Sequence, residues 1–315
     1  MNIEAVGKSA AKLVDNIETV IKGKRQAVEL SVAALLCRGH LLIEDVPGVG
    51  KTMLAKSIAK SVDGTFKRIQ FTPDLLPSDI TGTSLFNQKT GDFEWQPGPV
   101  FGNIVLADEI NRTTPRTQSA LLEAMDERQV TIDGVTRPMP EPFFVIATQN
   151  PVEYHGTYPL PEGQLDRFLM SINLGYPDAA DEKSVVISQQ SSHPIETLKP
   201  VMHADEIVEA QTAVKTVSID ETLIDYVLKI TDATRRSDDF VLGASPRGTL
   251  ALVHTAQGYA AIKGRKFVLP DDIKTVAMAV LAHRVFVKPR LKTGEAPARK
   301  IIARILDEVP VPVVR

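Results

Sequence analysis

A glycine-rich loop constrains the fold of this 315-residue chain more than any other feature of its sequence. Residues 40–44, with Leu41-Leu42-Ile43 at their centre, read as a buried strand that leads into Pro47-Gly48-Val49-Gly50-Lys51-Thr52, and residues 52–62 have the spacing of a helix. A strand, a glycine-rich turn and a helix in this order place successive backbone N–H groups around phosphate oxygens. The sequence therefore predicts an α/β fold built on a phosphate-binding loop, called here the phosphate loop (residues 45–52).

The residues of the phosphate loop have separate roles in this prediction. Gly48 and Gly50 let the backbone approach the phosphates, Lys51 reaches the β- and γ-phosphates, and Thr52 offers a hydroxyl to Mg²⁺. Lysine in the first turn of a helix opposes the helix dipole unless an anion lies beside it. Asp45 stands where the consensus has its first glycine, a position that mainly shapes the turn. We predict that residues 47–52 bind ATP with Mg²⁺.

Two carboxylates follow a second apolar run. Residues 104–107 read as a buried strand that ends in Asp108 and Glu109, and ligands bind at the carboxyl edge of an open α/β sheet. Asp108 is suited to hold magnesium through water, and Glu109 to orient or activate an attacking water. A carboxylate beside the magnesium ligand favours hydrolysis of ATP to ADP and phosphate over transfer to a metabolite.

Three further polar residues are candidates for the same site. The apolar run 143–147 is followed by three polar residues, the last of which is Asn150. Asn150 could contact the γ-phosphate or the attacking water, although asparagine before proline is usually only a turn residue. Arg167 precedes an apolar run, where a lone arginine is usually a surface group. Ser245 and Pro246 predict a helix start, so Arg247 lies in the first turn, against the helix dipole. That position suggests that Arg247 also faces a phosphate.

The strand and helix patterns predict the domain organisation. Helices expected at 6–21, ended near Gly23, and at 26–37 precede strands at 40–44, 66–71, 104–107, 143–147 and 168–174. This alternation favours a parallel sheet with helices on both faces. Two hairpins interrupt it, at residues 84–95 and 129–137. From residue 181 onward only amphipathic helices are expected. We therefore expect an α/β nucleotide-binding domain at 1–178 and an all-α domain at 179–315.

Composition excludes several classes of protein. A net charge of −3, a pI near 6.1 and the lack of a lysine or arginine run argue against a dedicated nucleic-acid binder. A single cysteine, Cys37, excludes a disulfide framework. No stretch approaches ~18 apolar residues, and the N-terminus has no signal-peptide core. We expect a cytoplasmic protein that does not insert into membranes.

In their order and spacing these motifs resemble the AAA+ ATPases, and in detail the MoxR family. The segments that carry the resemblance are LIEDVPGVGKT (42–52), GPVF (98–101), LADEINR (106–112), QSALLEAM (118–125), ATQNP (147–151), YPLPE (158–162) and LDRF (165–168). The set spans about residues 21–290. It implies a P-loop sheet core and a helical lid.

The resemblance also implies roles for individual residues. Residues 48–52 match the Walker A segment, and Asp108 with Glu109 match Walker B. Asn150 matches sensor 1, Arg167 the arginine finger that acts on ATP of a neighbouring subunit, and Arg247 sensor 2, which reports from the lid. Val20, Ile21 and Gly23 fall where the family packs against adenine.

A ring, usually a hexamer, is implied because each site needs a finger from the next subunit. Hydrolysis would then change the angle between the two domains and remodel a client protein, often with a partner that has a von Willebrand factor A domain. Phe86, Phe93 and Trp95 on the first hairpin are candidate client contacts, or simply cross-strand packing.

Two other functions stay open. One is a nucleic-acid motor, because related motors share the hairpins, although Lys89 and Arg137 are their chief cations. The other is a nucleotide-controlled binding module with little turnover, which the presence of Glu109, Asn150 and Arg167 disfavours.

Overall fold

The computed structural model describes residues 1–150, 157–190, 193–289 and 297–312. The strands are β1 (Leu41–Glu44), β2 (Phe66–Gln70), β3 (Gly82–Asn87), β4 (Asp92–Pro97), β5 (Ile104–Asp108), β6 (Gln129–Ile132), β7 (Val135–Pro138), β8 (Phe144–Gln149), β9 (Met170–Ile172), β10 (Phe240–Leu242) and β11 (Phe286–Val287). The helices are α1 (Ile3–Glu18), α2 (Arg25–Leu36), α3 (Lys51–Ser61), α4 (Pro77–Thr81), α5 (Pro115–Glu127), α6 (Glu162–Leu165), α7 (Ala179–Ser188), α8 (Pro194–Thr197), α9 (Ala204–Val214), α10 (Glu221–Arg236), α11 (Pro246–Ile262), α12 (Pro270–Leu281) and α13 (Pro297–Glu308).

Five of these strands form one parallel sheet in the order β2-β5-β8-β1-β9, which confirms the predicted core. Side chains alternate across its two faces because successive residues of a strand point to opposite sides. Leu41 and Ile43 join the apolar cluster of α1, α2 and α3, whereas Leu42 joins the cluster of α5. Both faces of the sheet are therefore covered by helices.

The two predicted hairpins are also confirmed. β3 pairs with β4 and β6 with β7, each antiparallel. Asp133 and Gly134 have φ of 52° and 75°, as the tight turn of a two-residue hairpin requires. Phe86 and Phe93 are cross-strand partners whose ring centroids lie 5.4 Å apart. Part of the surface of these two rings is therefore used in packing within the hairpin.

The prediction of an all-α C-terminal region is wrong in one detail. β10 and β11 pair antiparallel within it. Strands of three and two residues are too short to leave an alternating pattern in the sequence, which is why they were not predicted. The first helix also ends at Glu18, before the residues expected to extend it.

The N-terminal helices share an apolar cluster with the C-terminal ones. Val6, Leu13 and Val28 are buried together with Leu252 and Ala256 of α11. Because this cluster continues into the sheet, a domain boundary at residue 178 stays a prediction. None of the helices in the described part of the chain is long and apolar enough to span a membrane.

Candidate active site

The phosphate loop lies at the carboxyl edge of the sheet, between β1 and α3. Gly48 and Gly50 have φ of 87° and 97°, a region that side chains with a Cβ rarely adopt. A cavity of about 290 Å³ opens beside the loop. It is lined by Pro47, Gly48, Gly50, Lys51, Thr52, Met53, Asp108 and Glu109. The structure thus brings the predicted phosphate-binding residues and the acidic pair together, while Val49 packs against the core.

Asp108, the last residue of β5, is only 8% exposed, and both of its oxygens are engaged. Thr148 donates its hydroxyl to Oδ1 at 2.7 Å, and the Arg68 guanidinium donates to Oδ2 at 2.6 and 3.2 Å. The ion pair with Arg68 compensates the charge of a carboxylate that is otherwise shielded from water. Neither Arg68 nor Thr148 was predicted from the sequence.

Glu109 is held at the cavity by its backbone and its side chain. Its φ of 58° is unusual for a residue other than glycine and marks local strain. Its N–H donates to Thr148 Oγ1 at 2.9 Å, and its Oε2 accepts from Gln70 at 2.9 Å and Arg112 at 3.0 Å. Gln70 therefore fixes Glu109 from the neighbouring strand. The alternation of Arg68 and Gln70 on β2 was the available signal, since residues two apart share a sheet face.

Asn150 directly follows β8, which lies between β5 and β1 in the sheet. Gln149 is in register with Glu44, the last residue before the phosphate loop. Asn150 is 6% exposed. The sheet order therefore carries it to the edge between the phosphate loop and the acidic pair.

Arg167 and Arg247 meet at a second place. An Arg167 Nη1 lies 3.2 Å from Asp126 Oδ2 and donates to the Leu122 carbonyl at 3.0 Å, and an Arg247 Nη1 lies 3.9 Å from the same carboxylate oxygen. Both line a cavity of about 370 Å³, called here the arginine cavity. As predicted, Ser245 caps α11, accepting from the Gly248 N–H at 3.2 Å.

The arginine cavity and the phosphate-loop cavity have no lining residue in common within the described chain. The two predicted arginines are thus brought together by the structure, 80 positions apart in sequence, but not to the phosphate loop of their own chain. Asp126, the carboxylate they share, was not among the residues predicted from the sequence.

Asp166 joins the loop of Arg167 to the helix of Arg247. Its Oδ2 accepts from the Ser245 hydroxyl at 2.9 Å, and its Oδ1 accepts from Arg284 Nε at 2.7 Å. Arg284 also donates to the carbonyls of Phe168 and Leu169, with its side chain only 2% exposed. Burial lowers the pKa of Arg284, and the adjacent Asp166 carboxylate opposes that shift. Arg284 therefore ties the backbone after Arg167 to the C-terminal helices.

The segment expected near adenine lies beside the residues that lead into and begin α7. Ile21 is buried in the main apolar cluster. Gly23 has φ of +69°, and a Cβ there would come within 1.6 Å of the Asp181 carboxylate. Lys24 donates to the Tyr176 carbonyl at 2.8 Å. This segment therefore contacts residues 176–181 rather than the acidic pair.

Comparison with known proteins agrees with this geometry. Residues 40–170 match the model of the ATPase family associated with various cellular activities (AAA), and residues 232–305 match the AAA lid domain. Together the fold and these matches define an AAA ATPase with its lid.

Relatives narrow the class further. Chaperone MoxR1 of Mycobacterium tuberculosis is 40% identical over 96% of this chain and 82% of its own, and protein MoxR of Methylorubrum extorquens is 30% identical over 96% and 95%. The chain therefore belongs to the MoxR family of AAA+ ATPases. An uncharacterised Bacillus subtilis protein, YeaC, is 53% identical over 96% of this chain and 95% of its own. A crystal structure of a presumed ATPase from Cytophaga hutchinsonii superposes with a TM-score of 0.90 at 38% identity, covering 98% of this chain and 96% of the other.

Proposed function

We propose that this chain hydrolyses ATP to ADP and phosphate with magnesium, and that its active sites are completed by neighbouring subunits of a ring. The observation that carries the proposal is the separation of the two cavities: the phosphate loop and acidic pair line one, and Arg167 and Arg247 line the other. Each chain would thus contribute the phosphate-binding half of one active site and the arginine half of another.

The donors in the phosphate-loop cavity suit magnesium. The Thr52 hydroxyl and the Asp108 carboxylate both line it, and Mg²⁺ prefers oxygen ligands and retains several waters. Bound magnesium would neutralise charge on the β- and γ-phosphates. Glu109, already oriented by Gln70 and Arg112, is proposed as the group that positions the attacking water. Lys51 and Asn150 are proposed to contact the γ-phosphate.

Arg167 and Arg247 are proposed to act on the ATP of the next subunit. Asp126 holds both guanidinium groups on one side of the molecule, close enough for a single triphosphate to meet both. An arginine supplied in trans stabilises charge that develops on the transferred phosphoryl group and raises the rate by orders of magnitude. The closed ring in which each site receives its arginines from the next subunit is proposed to be a hexamer.

Mixing two inactive variants tests the shared site. Lys51→Ala removes phosphate binding and Arg167→Ala removes the finger, so each alone should lose nearly all turnover. In random mixed rings, half of the sites keep Lys51 and half of those face an intact Arg167, so phosphate release should recover to about one quarter. In the matched control, Arg167→Ala is mixed with the Lys51→Ala/Arg167→Ala double variant. No subunit then carries Arg167, so phosphate release should not recover. Failure of the first mixture to recover, in rings shown to exchange subunits, contradicts the trans role.

The client is proposed to be a protein, recruited alone or through a partner with a von Willebrand factor A domain. Leu85, Phe86 and Phe93 expose apolar surface on the first hairpin, with Phe93 72% exposed. Of the two chief cations of the hairpins, Arg137 packs its guanidinium 4.4 Å from the centre of the Trp95 ring, which leaves Lys89 as the exposed one. The name of the relative chaperone MoxR1 also supports a protein client.

A trap variant tests this part. Glu109→Gln should bind ATP without turnover and retain a client, which a photo-crosslinker at position 93 would capture from the native cell. Capture only without ATP, or an affinity for DNA that falls steeply with salt, would contradict the proposal of a protein client.

A further inference from the structure

Asp45, the departure from the phosphate-loop consensus, is almost completely buried and fully engaged. It is 7% exposed. Its Oδ2 accepts from two backbone N–H groups, those of Leu174 and Gly175, each at 2.7 Å, and its Oδ1 accepts from the Val46 N–H at 2.9 Å. Hydrogen bonds to an ionised acceptor are the strong ones. A glycine at position 45 would make none of these three bonds.

The two donors open the connection (residues 173–178) that leads from β9 to α7. Gly175 has φ of +63°, where the chain turns. Further along, the Tyr176 carbonyl accepts from Lys24, and Asp178 caps α7 by accepting from the Asp181 N–H. The connection is thus held by Asp45 at one end and by the segment beside Gly23 at the other.

The backbone of the same residue faces the phosphate-binding lysine. Lys51 Nζ donates to the Asp45 carbonyl at 2.6 Å. A phosphate that draws the Lys51 ammonium toward itself therefore acts on the residue whose carboxylate holds the connection. Any residue at position 45 could accept from Lys51 through its backbone carbonyl, but the bonds to Leu174 and Gly175 require the carboxylate side chain.

We propose that Asp45 is a positioning residue that couples occupancy of the phosphate loop to the connection, and through it to the helices that follow. The inference rests on the proposed binding of ATP. Because the Asp45 carboxylate links the phosphate loop to the connection, cutting its bonds to Leu174 and Gly175 changes the response of the connection to nucleotide.

Restoring the consensus glycine gives the sharpest variant. If position 45 only shapes the turn, Asp45→Gly should behave as the wild type, since glycine is the consensus residue there. If Asp45 holds the connection, Asp45→Gly frees the amides of Leu174 and Gly175. Asp45→Asn keeps one oxygen that both amides can share, and serves as the conservative rescue. Asp45→Ala replaces the glycine variant if that does not fold.

Hydrogen exchange by mass spectrometry on the full chain, with and without Mg·ADP, provides a readout other than activity. In the wild type, ADP is expected to change the exchange of residues 174–181. In Asp45→Gly these amides should exchange roughly tenfold faster without nucleotide, as expected for the loss of a charge-assisted hydrogen bond, and should no longer respond to ADP. Asp45→Asn should retain the response. Glu44→Gln, which alters the adjacent carboxylate bonded to Gln149 and Ser171, controls for charge and should also retain it.

Binding of a fluorescent ADP is measured in parallel to separate two failures. A wild-type chain that does not bind the probe refutes the proposed function itself. A wild-type chain that binds it without any change at residues 174–181 refutes the coupling alone. The inference is also overturned if ADP changes the exchange of residues 174–181 in Asp45→Gly as it does in the wild type. It is overturned likewise if Asp45→Gly and Asp45→Asn lose that response to the same extent.

Discussion

Replacing Arg284 with methionine should destabilise the protein far more than the loss of an ordinary ion pair. Methionine has a similar length but removes the guanidinium that pairs with the Asp166 carboxylate, only 21% exposed, and that donates to the Phe168 and Leu169 carbonyls. The Ser245 hydroxyl then remains as the donor to that carboxylate. Breaking a buried pair costs about 3–5 kcal/mol, because the remaining charge is uncompensated. We expect Arg284→Met to lower the free energy of unfolding by about that amount.

An exposed pair of the same length provides the matched control. Lys8 and Glu4 on α1 are also 2.7 Å apart, but their side chains are 73% and 70% exposed. Water and salt screen an exposed pair of this kind, so it contributes little to stability. Lys8→Met should therefore cost much less stability than Arg284→Met, although the two broken contacts have equal lengths.

Urea unfolding of the three proteins at one pH measures both costs, provided that the dependence of the free energy on urea is unchanged. The two variants should separate by several kcal/mol. If Arg284→Met costs less than about 1 kcal/mol, or no more than Lys8→Met, then burial does not decide the strength of this contact. The description of Arg284 as the tie between the loop of Arg167 and the C-terminal helices would then be wrong.

Three further predictions follow from single contacts. Gln70→Ala removes one of the donors to Glu109 and should lower kcat about three- to tenfold with little change in KM, and an unchanged kcat would contradict it. Burial lowers the pKa of His40 to about 3, so the folded protein keeps this ring neutral while the unfolded chain protonates below its ordinary pKa of about 6.5. Stability should therefore fall as the pH drops, by about 2 kcal/mol at pH 5 from this group, and His40→Asn should flatten the decline in urea unfolding. Arg137→Ala removes the cation over Trp95, the only tryptophan, and should shift its fluorescence to longer wavelength, whereas an unchanged spectrum would place the two hairpins apart.

The parts of the site that the sequence predicted are those defined by neighbouring residues. The phosphate loop, the pair Asp108 and Glu109, and the cap at Ser245 each depend on a few consecutive positions. Their local chemistry is therefore legible without a structure.

The parts that it did not predict depend on the order of the strands and the packing of distant segments. Arg68 reaches Asp108 because β2 pairs with β5, and Asp126 meets Arg247 because the end of α5 lies near the start of α11. Arg284 contacts Asp166 across 118 positions. No spacing in the sequence encodes such pairs, and a lone arginine looks like a surface group until its partner is known.

The C-terminal helices touch both halves of the proposed shared site. On one side, Asp45 of the phosphate loop holds the connection that leads from β9 into α7. On the other, Asp166 bonds both Ser245 and Arg284, which fixes the helix of Arg247 against the loop of Arg167. A shift of these helices when nucleotide fills the phosphate loop would therefore move the two arginines as a unit. The geometry thus offers a physical route by which ATP bound to one subunit changes the arginines that it presents to the next.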